Sequence, residues 1–164
     1  LRDVTVKHGG TYTASAVGEV NVVAAMKANN AIIGGEGNGG IILPESHYGR
    51  DALVGIALFL SLLAEKQMSV SNLKKTYPLY FMSKKKIDLN PSIDVDALLS
   101  TMEKSYQNET LTTLDGVKID FLDSWVHLRK SNTEPIIRIY TEAPSQAQAD
   151  ALADRFIAEL KPFS

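Results

Sequence analysis

Four neighbouring side chains in this sequence are suited to holding an anion. Arg129 is followed by Ser131, Asn132 and Thr133, in a short polar stretch between two predicted strands. A turn between strands exposes backbone N–H groups that the ladder cannot use, and an arginine guanidinium fits two phosphate oxygens at once. These residues therefore favour a site for a small dianion such as phosphate, with an ordinary polar hairpin loop as the alternative.

A glycine-rich loop at residues 34–40 is the second stretch with chemical potential. It is not a dinucleotide-binding loop, because its glycines would have to open a helix, whereas Ile41 begins an extended segment. It is not a P-loop either, since no Gly-Lys-(Ser or Thr) ends it. Glu36 and Asn38 lie between glycines that allow a ligand to come close, and a carboxylate accepts hydrogen bonds from adjacent hydroxyls. A sugar site fits this loop, with a bare glycine turn as the alternative.

Both stretches resemble motifs of one family, the α-D-phosphohexomutases, which includes phosphoglucomutase, phosphomannomutase and phosphoglucosamine mutase. The string from Arg129 to Pro135, followed by a strand that contains Arg138, resembles the family's C-terminal phosphate-binding loop. The string from Gly34 to Gly40 resembles the family's sugar-binding loop. The two occur in the family's order, and the resemblance covers nearly the whole chain.

The resemblance implies a role for each matching residue. The residues implied to bind sugar hydroxyls are Glu36, Asn38, Gly18 and Glu19. Those implied to bind the phosphate that is not transferred are Arg129, Ser131, Asn132 and Thr133, with Arg138 as a weaker candidate. Two departures stand out: Glu19 lies where some members have His, and Gly40 lies where many have His. Any acid–base role of that His is therefore absent here or served elsewhere.

The resemblance also implies a reaction, in which an enzyme phosphoserine phosphorylates a hexose phosphate and the resulting hexose 1,6-bisphosphate returns its other phosphate. Mg²⁺ steadies the transferred charge. The family's phosphoserine motif, Thr-Ala-Ser-His-Asn-Pro, and its Asp-rich metal loop are absent from this sequence. The match at Thr13-Ala14-Ser15 stops after three residues, so we do not take Ser15 as a nucleophile. We expect no catalytic residue and no metal ligand in this chain, and no mutase activity from it alone.

Composition narrows the classes of partner. A hydrophobic content of 45% and a charged content of 22% are typical of a soluble globular protein. The net charge of −2 provides no general basic field for nucleic acid, and cysteine is absent. The apolar run from Ala52 to Ala64 is too short for a bilayer span of about 20 residues, and we predict a buried helix there. We expect a cytoplasmic protein whose partner is a phosphorylated hexose, with neither nucleic acid nor membrane.

The first unit, residues 1–76, alternates predicted strands and helices. The predicted strands are Thr11–Val17, Ala31–Ile33 and Ile41–Leu43, and the predicted helices are Glu19–Lys27 and Asp51–Lys66. This alternation indicates an α/β domain. Since Leu1 to Gly10 is typical of the end of a helix, we expect a fragment that lacks its N-terminal domains. The resemblance identifies this unit as the C-terminal part of a layered α/β/α third domain.

The second unit, residues 77–164, has the predicted order β-α-β-β-β-β-α, which indicates an antiparallel sheet with two helices on one face, an α+β domain. Asp115-Gly116 is predicted to be a two-residue hairpin turn. The family's fourth domain has this layout. Two alternatives remain open: a non-catalytic sugar-phosphate-binding protein, and a nucleic-acid-binding module with Lys84, Lys85 and Lys86 on its first strand. The acidic balance and an expected lack of exposed aromatic residues on paired strands disfavour the latter.

Overall fold

The structure is a computed structural model that describes residues 1–90, 92–131 and 133–163. The chain divides into two compact units, Leu1–Pro78 and Leu79–Ser164. No helix among the described residues is long and apolar enough to cross a membrane.

The first unit contains four helices and one small sheet. Its elements are α1 (Arg2–Lys7), α2 (Glu19–Asn29), β1 (Gly34–Gly35), β2 (Ile41–Ile42), α3 (Ala52–Lys66) and α4 (Val70–Lys75). The strands β1 and β2 pair antiparallel. The strands predicted at Thr11–Val17 and Ala31–Ile33 are wrong: neither segment joins a sheet within the described residues. A strand needs a hydrogen-bonded neighbour, and the ladder forms only where β1 faces β2.

The predicted burial of α3 is also wrong. The carboxylate of Asp51 caps this helix by accepting hydrogen bonds from the backbone N–H groups of Leu53 and Val54. None of its described residues is buried, and Leu53 is 78% exposed. The buried hydrophobic cluster of the unit consists of Val22, Met26 and Ile42, and Leu73 of α4 is buried apart from it. Periodicity marks an apolar segment as a helix, but burial also requires an element that covers it.

The second unit is built on a five-stranded antiparallel sheet. Its elements are β3 (Phe81–Asp88), α5 (Val95–Ser105), β4 (Thr110–Thr112), β5 (Val117–Asp120), β6 (Trp125–Lys130), β7 (Ile136–Ala143), α6 (Gln146–Leu160) and a short 3-10 helix (Lys161–Phe163). The predicted order β-α-β-β-β-β-α is confirmed, and the spatial order of the strands is β3-β7-β6-β5-β4. The predicted two-residue turn is a longer loop, residues 113–116, because β4 ends at Thr112 and β5 begins at Val117.

The two faces of this sheet differ in burial. Residues from alternate positions of the strands pack with α5 and α6 in one core, where Leu128, Ile139 and Phe156 are fully buried. The remaining positions form the open face, which carries Arg129 and Arg138. Strand alternation thus places both arginines on the side away from the helices.

Candidate functional site

The glycine-rich loop is a tight turn between β1 and β2. Gly34 faces Ile42, and Gly35 faces Ile41 across the ladder. The turn closes through the backbone N–H of Glu36, which donates to the carbonyl of Gly40 at 3.1 Å. The loop therefore presents its side chains from a fixed backbone.

Glu36 links the loop to the start of α2. The backbone N–H of Gly18 donates to Oε1 of Glu36 at 3.1 Å. Gly18 caps the helix with a φ of 115°, a conformation that favours glycine. Among the described residues this is the one hydrogen bond of the Glu36 side chain, so its Oε2 remains available to accept from a ligand. The structure thus brings together two segments that the sequence assigned separately to a sugar site.

The side chain of Asn38 bonds to the loop through its oxygen and is exposed to solvent. Its Oδ1 accepts from the backbone N–H of Gly40 at 3.1 Å, and the residue is exposed. The carbonyl oxygen thus supports the turn, which leaves the amide N–H groups to donate to a ligand.

Glu19 is held by a residue that the sequence analysis assigned no role. Its Oε2 accepts from Nε of Arg50 at 2.7 Å, and its Oε1 accepts from the backbone N–H of Arg50 at 3.3 Å. The stem of Arg50 lies against Gly40, where an added Cβ would be 2.7 Å from Cδ of Arg50. Arg50 therefore occupies the space that a larger residue at position 40 would need. Its position between Gly49 and Asp51, beside the loop, was the available signal.

The predicted phosphate loop follows β6. The backbone N–H of Ser131 donates to the carbonyl of Ile136 at 3.1 Å, which closes the turn. The hydroxyl oxygens of Ser131 and Thr133 lie 3.3 Å apart, and the backbone N–H of Thr133 lies 3.3 Å from the same Ser131 oxygen. Two hydroxyls and one N–H thus cluster on the exposed turn. Asn132, the fourth residue assigned to this loop, lies outside the described residues.

Arg129 is anchored from another loop. Its Nε donates to Oδ1 of Asp115 at 3.0 Å, and each side chain is about one-quarter exposed. Asp115 is absent from the sequence-based site. The register offered a signal, because Val117 pairs with Leu128 and so brings the preceding loop alongside the end of β6.

Arg138 lies directly opposite Arg129 in the β6–β7 ladder, and Lys86 lies opposite Arg138 in the next ladder. Since cross-strand partners share a face, three cationic residues form a row across the open face. Like charges in this arrangement repel each other, so the row is a favourable place for an anion.

The open face also contains two aromatic residues, but neither is exposed, in agreement with the expectation that the paired strands lack exposed aromatic residues. Trp125 and Tyr140 are half-buried on it. The ring of Tyr140 lies below Nζ of Lys84, 5.6 Å away, and that of Trp125 below Nζ of Lys118, 5.1 Å away. Both rings are therefore already engaged by lysines within the chain.

Ser15, His47 and His127 each bond to a separate group and not to one another. The hydroxyl of Ser15 donates to the adjacent carbonyl of Ala16 at 2.9 Å. Nε2 of His47 lies 3.2 Å from a carboxylate oxygen of Asp51. Nε2 of His127 lies 2.5 Å from the backbone oxygen of Asp115. Within the described residues no three His, Cys, Asp or Glu side chains form a group suited to a metal ion, so these residues do not fit the magnesium that the resemblance implies.

Comparison with known proteins matches the chain to two successive family models. Residues 1–80 match the phosphoglucomutase/phosphomannomutase α/β/α domain III, and residues 83–159 match the C-terminal domain of the same family. The chain is 38% identical over 140 residues to a phosphoglucosamine/phosphogalactosamine mutase of Sulfurisphaera tokodaii, covering 84% of the chain and 31% of that protein. It is 36% identical over 151 residues to a phosphoglucomutase/phosphomannomutase of Thermococcus kodakarensis, covering 91% of the chain and 33% of that protein.

A crystal structure shows the same fold. A phosphoglucomutase/phosphomannomutase family protein from Burkholderia thailandensis superposes with a TM-score of 0.75 at 24% identity, covering 98% of this chain and 35% of that one. The chain therefore spans about a third of the length of the relatives it matches.

Proposed function

Since this chain belongs to the phosphoglucomutase/phosphomannomutase family, we propose that it is the C-terminal part of a phosphohexomutase, with a sugar-binding loop in its first unit and a phosphate-binding loop in its second. The first unit corresponds to part of the sugar-binding third domain and the second to the phosphate-binding fourth domain, with the boundary near residues 76–78. The full protein would interconvert hexose 1-phosphate and 6-phosphate in the cytoplasm. The sugar is glucose, mannose or glucosamine.

The hydrogen bond between Gly18 and Glu36 carries the sugar-binding half of this proposal. It fixes one carboxylate oxygen and leaves the other to accept from a hydroxyl, while the amide of Asn38 donates beside it. Glu19, whose carboxylate is held by Arg50, and Gly18 remain the other residues that we assign to the sugar site. Hydrogen bonds from neutral hydroxyls to a held carboxylate suit the uncharged sugar ring of a hexose phosphate.

The turn after β6 supplies the phosphate-binding half. Arg129 and Arg138 provide positive charge, and Ser131 and Thr133 provide hydroxyl donors. A phosphate that stays bound while the other one is transferred needs charge and donors but no nucleophile. We assign both groups to this role, together with Asn132 on the basis of the sequence.

The chemical step belongs to residues outside this chain. In the proposed cycle, a phosphoserine transfers its phosphoryl group to the free hydroxyl of the hexose phosphate. The hexose 1,6-bisphosphate then returns its other phosphoryl group to the serine, so that phosphate is conserved. Magnesium would be held elsewhere in the full protein, because the described residues offer no ligand set for it. The contribution of this chain is to bind and orient the sugar.

Titration of the chain with glucose 6-phosphate, followed by backbone amide chemical shifts, tests the proposal. We expect the 34–40 loop and the 129–133 turn to respond, whereas inorganic phosphate should move only the turn. Glu36→Ala should weaken the binding of glucose 6-phosphate, as measured from the shifts of the 34–40 loop, by about 1.5–3 kcal/mol, because it removes a charged acceptor. Glu36→Gln keeps an acceptor for Gly18 and should lose less.

Glu45→Ala is the matched control, because Glu45 is exposed and lies just beyond the same loop. It should bind as the unsubstituted chain does. A 34–40 loop that ignores glucose 6-phosphate at every concentration, or equal losses for Glu36→Ala and Glu45→Ala, would contradict the sugar-binding assignment.

A further inference from the structure

We propose that Asp115 is a positioning residue for the phosphate loop: it holds Arg129 by its Nε edge so that the Nη edge meets a phosphate. The inference rests on the proposed function, because it takes Arg129 to be a phosphate ligand. Asp115 itself would not contact the phosphate. Its role is to fix a long, flexible side chain before the ligand arrives.

The loop that carries Asp115 is tied to β6 at three points. The carboxylate of Asp115 accepts from Nε of Arg129 at 3.0 Å, and the backbone oxygen of Asp115 lies 2.5 Å from Nε2 of His127. Gly116 follows with a φ of 78°, and an added Cβ there would lie 2.2 Å from the carbonyl oxygen of Leu128. The loop backbone thus lies directly against the strand that presents Arg129, which gives Asp115 a defined place.

Guanidinium geometry gives this contact its consequence. An arginine has one edge with Nε and one Nη, and a second edge with both Nη groups, and either edge fits two oxygens. Among the described residues, the one hydrogen bond of the Arg129 side chain uses Nε. The edge with both Nη groups is therefore left to face a phosphate. Because the side chain is already ordered, binding costs less conformational entropy.

The charges around Arg129 support the same role. Arg138 lies opposite Arg129 in the ladder, and the carboxylate of Asp115 is bonded to Arg129. The aspartate therefore offsets the repulsion between the two arginines. Within the described part of the chain, the second oxygen of Asp115, Oδ2, is buried and meets no hydrogen-bond partner. The bond to Arg129 is thus the one hydrogen bond of this carboxylate among the described residues, so the aspartate is committed to that arginine.

The experiment titrates the chain with inorganic phosphate at low salt and follows the side-chain Nε–Hε signal of Arg129. Asp115→Ala should weaken phosphate binding about three- to tenfold, the expected effect of freeing one arginine side chain. The Arg129 signal should also lose its protection from solvent exchange. Asp115→Asn retains an Oδ1 acceptor and should restore most of the affinity.

Asp120→Asn is the charge-matched control, because Asp120 is on the open face and its carboxylate bonds to Lys118. It should leave phosphate affinity and the Arg129 signal unchanged. A double-mutant cycle with Arg129→Lys then tests the route of the effect. If Asp115 acts through the guanidinium, its substitution should change nothing further in the Arg129→Lys background.

Three results would overturn the inference. A phosphate affinity of Asp115→Ala that matches or exceeds that of the unsubstituted chain would show that Asp115 competes for Arg129, while the phosphate site itself would still stand. Asp115→Asn losing affinity as fully as Asp115→Ala would show that charge, not positioning, is what matters. A chain whose turn does not respond to phosphate at all, with Arg129 still protected, overturns the proposed phosphate site and this inference with it.

Discussion

The two units hold their candidate loops in different ways. In the second unit, the phosphate loop joins adjacent strands of a five-stranded sheet, above a core that contains Leu128, Ile139 and Phe156. In the first unit, the sugar loop joins two short strands, and hydrogen bonds accepted by the side chains of Glu36 and Glu19 secure it. The comparison indicates that a sheet can fix a loop by backbone pairing, whereas a unit with little core relies on particular side chains.

The amount of covered apolar surface accounts for the difference. The core of the second unit includes buried residues from both helices and from every strand except β4. From β4, Leu111 packs against this core but is only partly buried. The core cluster of the first unit contains Val22, Met26 and Ile42, Leu73 is buried apart from it, and no residue of α3 is buried. Hydrophobic burial stabilises by about 25 cal/mol per Å² of apolar surface, so the second unit should be the more stable one.

The largest expected effect tests whether the second unit has its own core. Phe156 is fully buried, and its ring centroid lies 5.2 Å from that of Tyr106. Phe156→Ala should destabilise this unit by about 3–5 kcal/mol, because it removes contacts and leaves a cavity. Urea unfolding followed by the fluorescence of Trp125, the single tryptophan, measures this loss. Amide protection in α2 should not change, and its simultaneous loss would show that the two units unfold as one.

The next effect tests the backbone of the sugar loop. A Cβ added at Gly35 would lie 2.2 Å from the carbonyl oxygen of Gly40. A Cβ added at Gly37 would have no neighbouring atom within 4 Å among the described residues. Gly35→Ala should therefore cost the first unit about 1–3 kcal/mol, the usual cost of overpacking, and Gly37→Ala should be almost neutral. Hydrogen exchange at Glu36 and Ile42 measures both. Equal losses for the two variants would mean that the β1–β2 pairing does not set the loop.

A smaller effect is expected at the ion pair beside that loop. The side chains of Arg50 and Glu19 are 52% and 33% exposed, and exposed pairs contribute about 0.2–1 kcal/mol. Glu19→Gln should lower stability by no more than this, and the loss should shrink as salt rises. The chemical shift of Gly40, which lies beneath Arg50, should nevertheless move. Glu65→Gln, at a surface pair with Lys66, is the control and should leave that shift unchanged.

The smallest effect concerns pH. Hydrogen bonds from the backbone of Val54, from His47 and from the backbone of Leu53 hold the pKa of the Asp51 carboxyl below its usual value. A lowered pKa in the folded state means stability that is present above the unfolded pKa and lost as pH falls through the folded one. The start of α3 should therefore loosen in acid. Thermal unfolding of Asp51→Asn, which cannot titrate, should depend less on pH below about 4; an unchanged acid slope would exclude Asp51 as the cause.

Much of the second unit was predictable because its patterns are local. Alternation along β6 and β7 sets which side chains are buried, and Asp115-Gly116 marks a turn between two strands. The donors of the phosphate loop are also contiguous in sequence, from Arg129 to Thr133. Strand ends were less accurate: β4 ends at Thr112, so the turn became a loop with room for the Asp115 side chain to reach Arg129.

The sequence by itself determined the family resemblance, the element order of the second unit and the residues of both candidate loops. Only the tertiary structure decided which of these residues meet. The pairs Gly18–Glu36, Glu19–Arg50 and Asp115–Arg129 are separated by many residues, and their contacts depend on how loops and strands pack. The lack of buried residues in α3 has the same origin. The sequence shows that this helix is apolar, but it does not show whether another element packs against it. Periodicity is encoded along the chain, whereas a contact or a buried face requires two segments to come together in space.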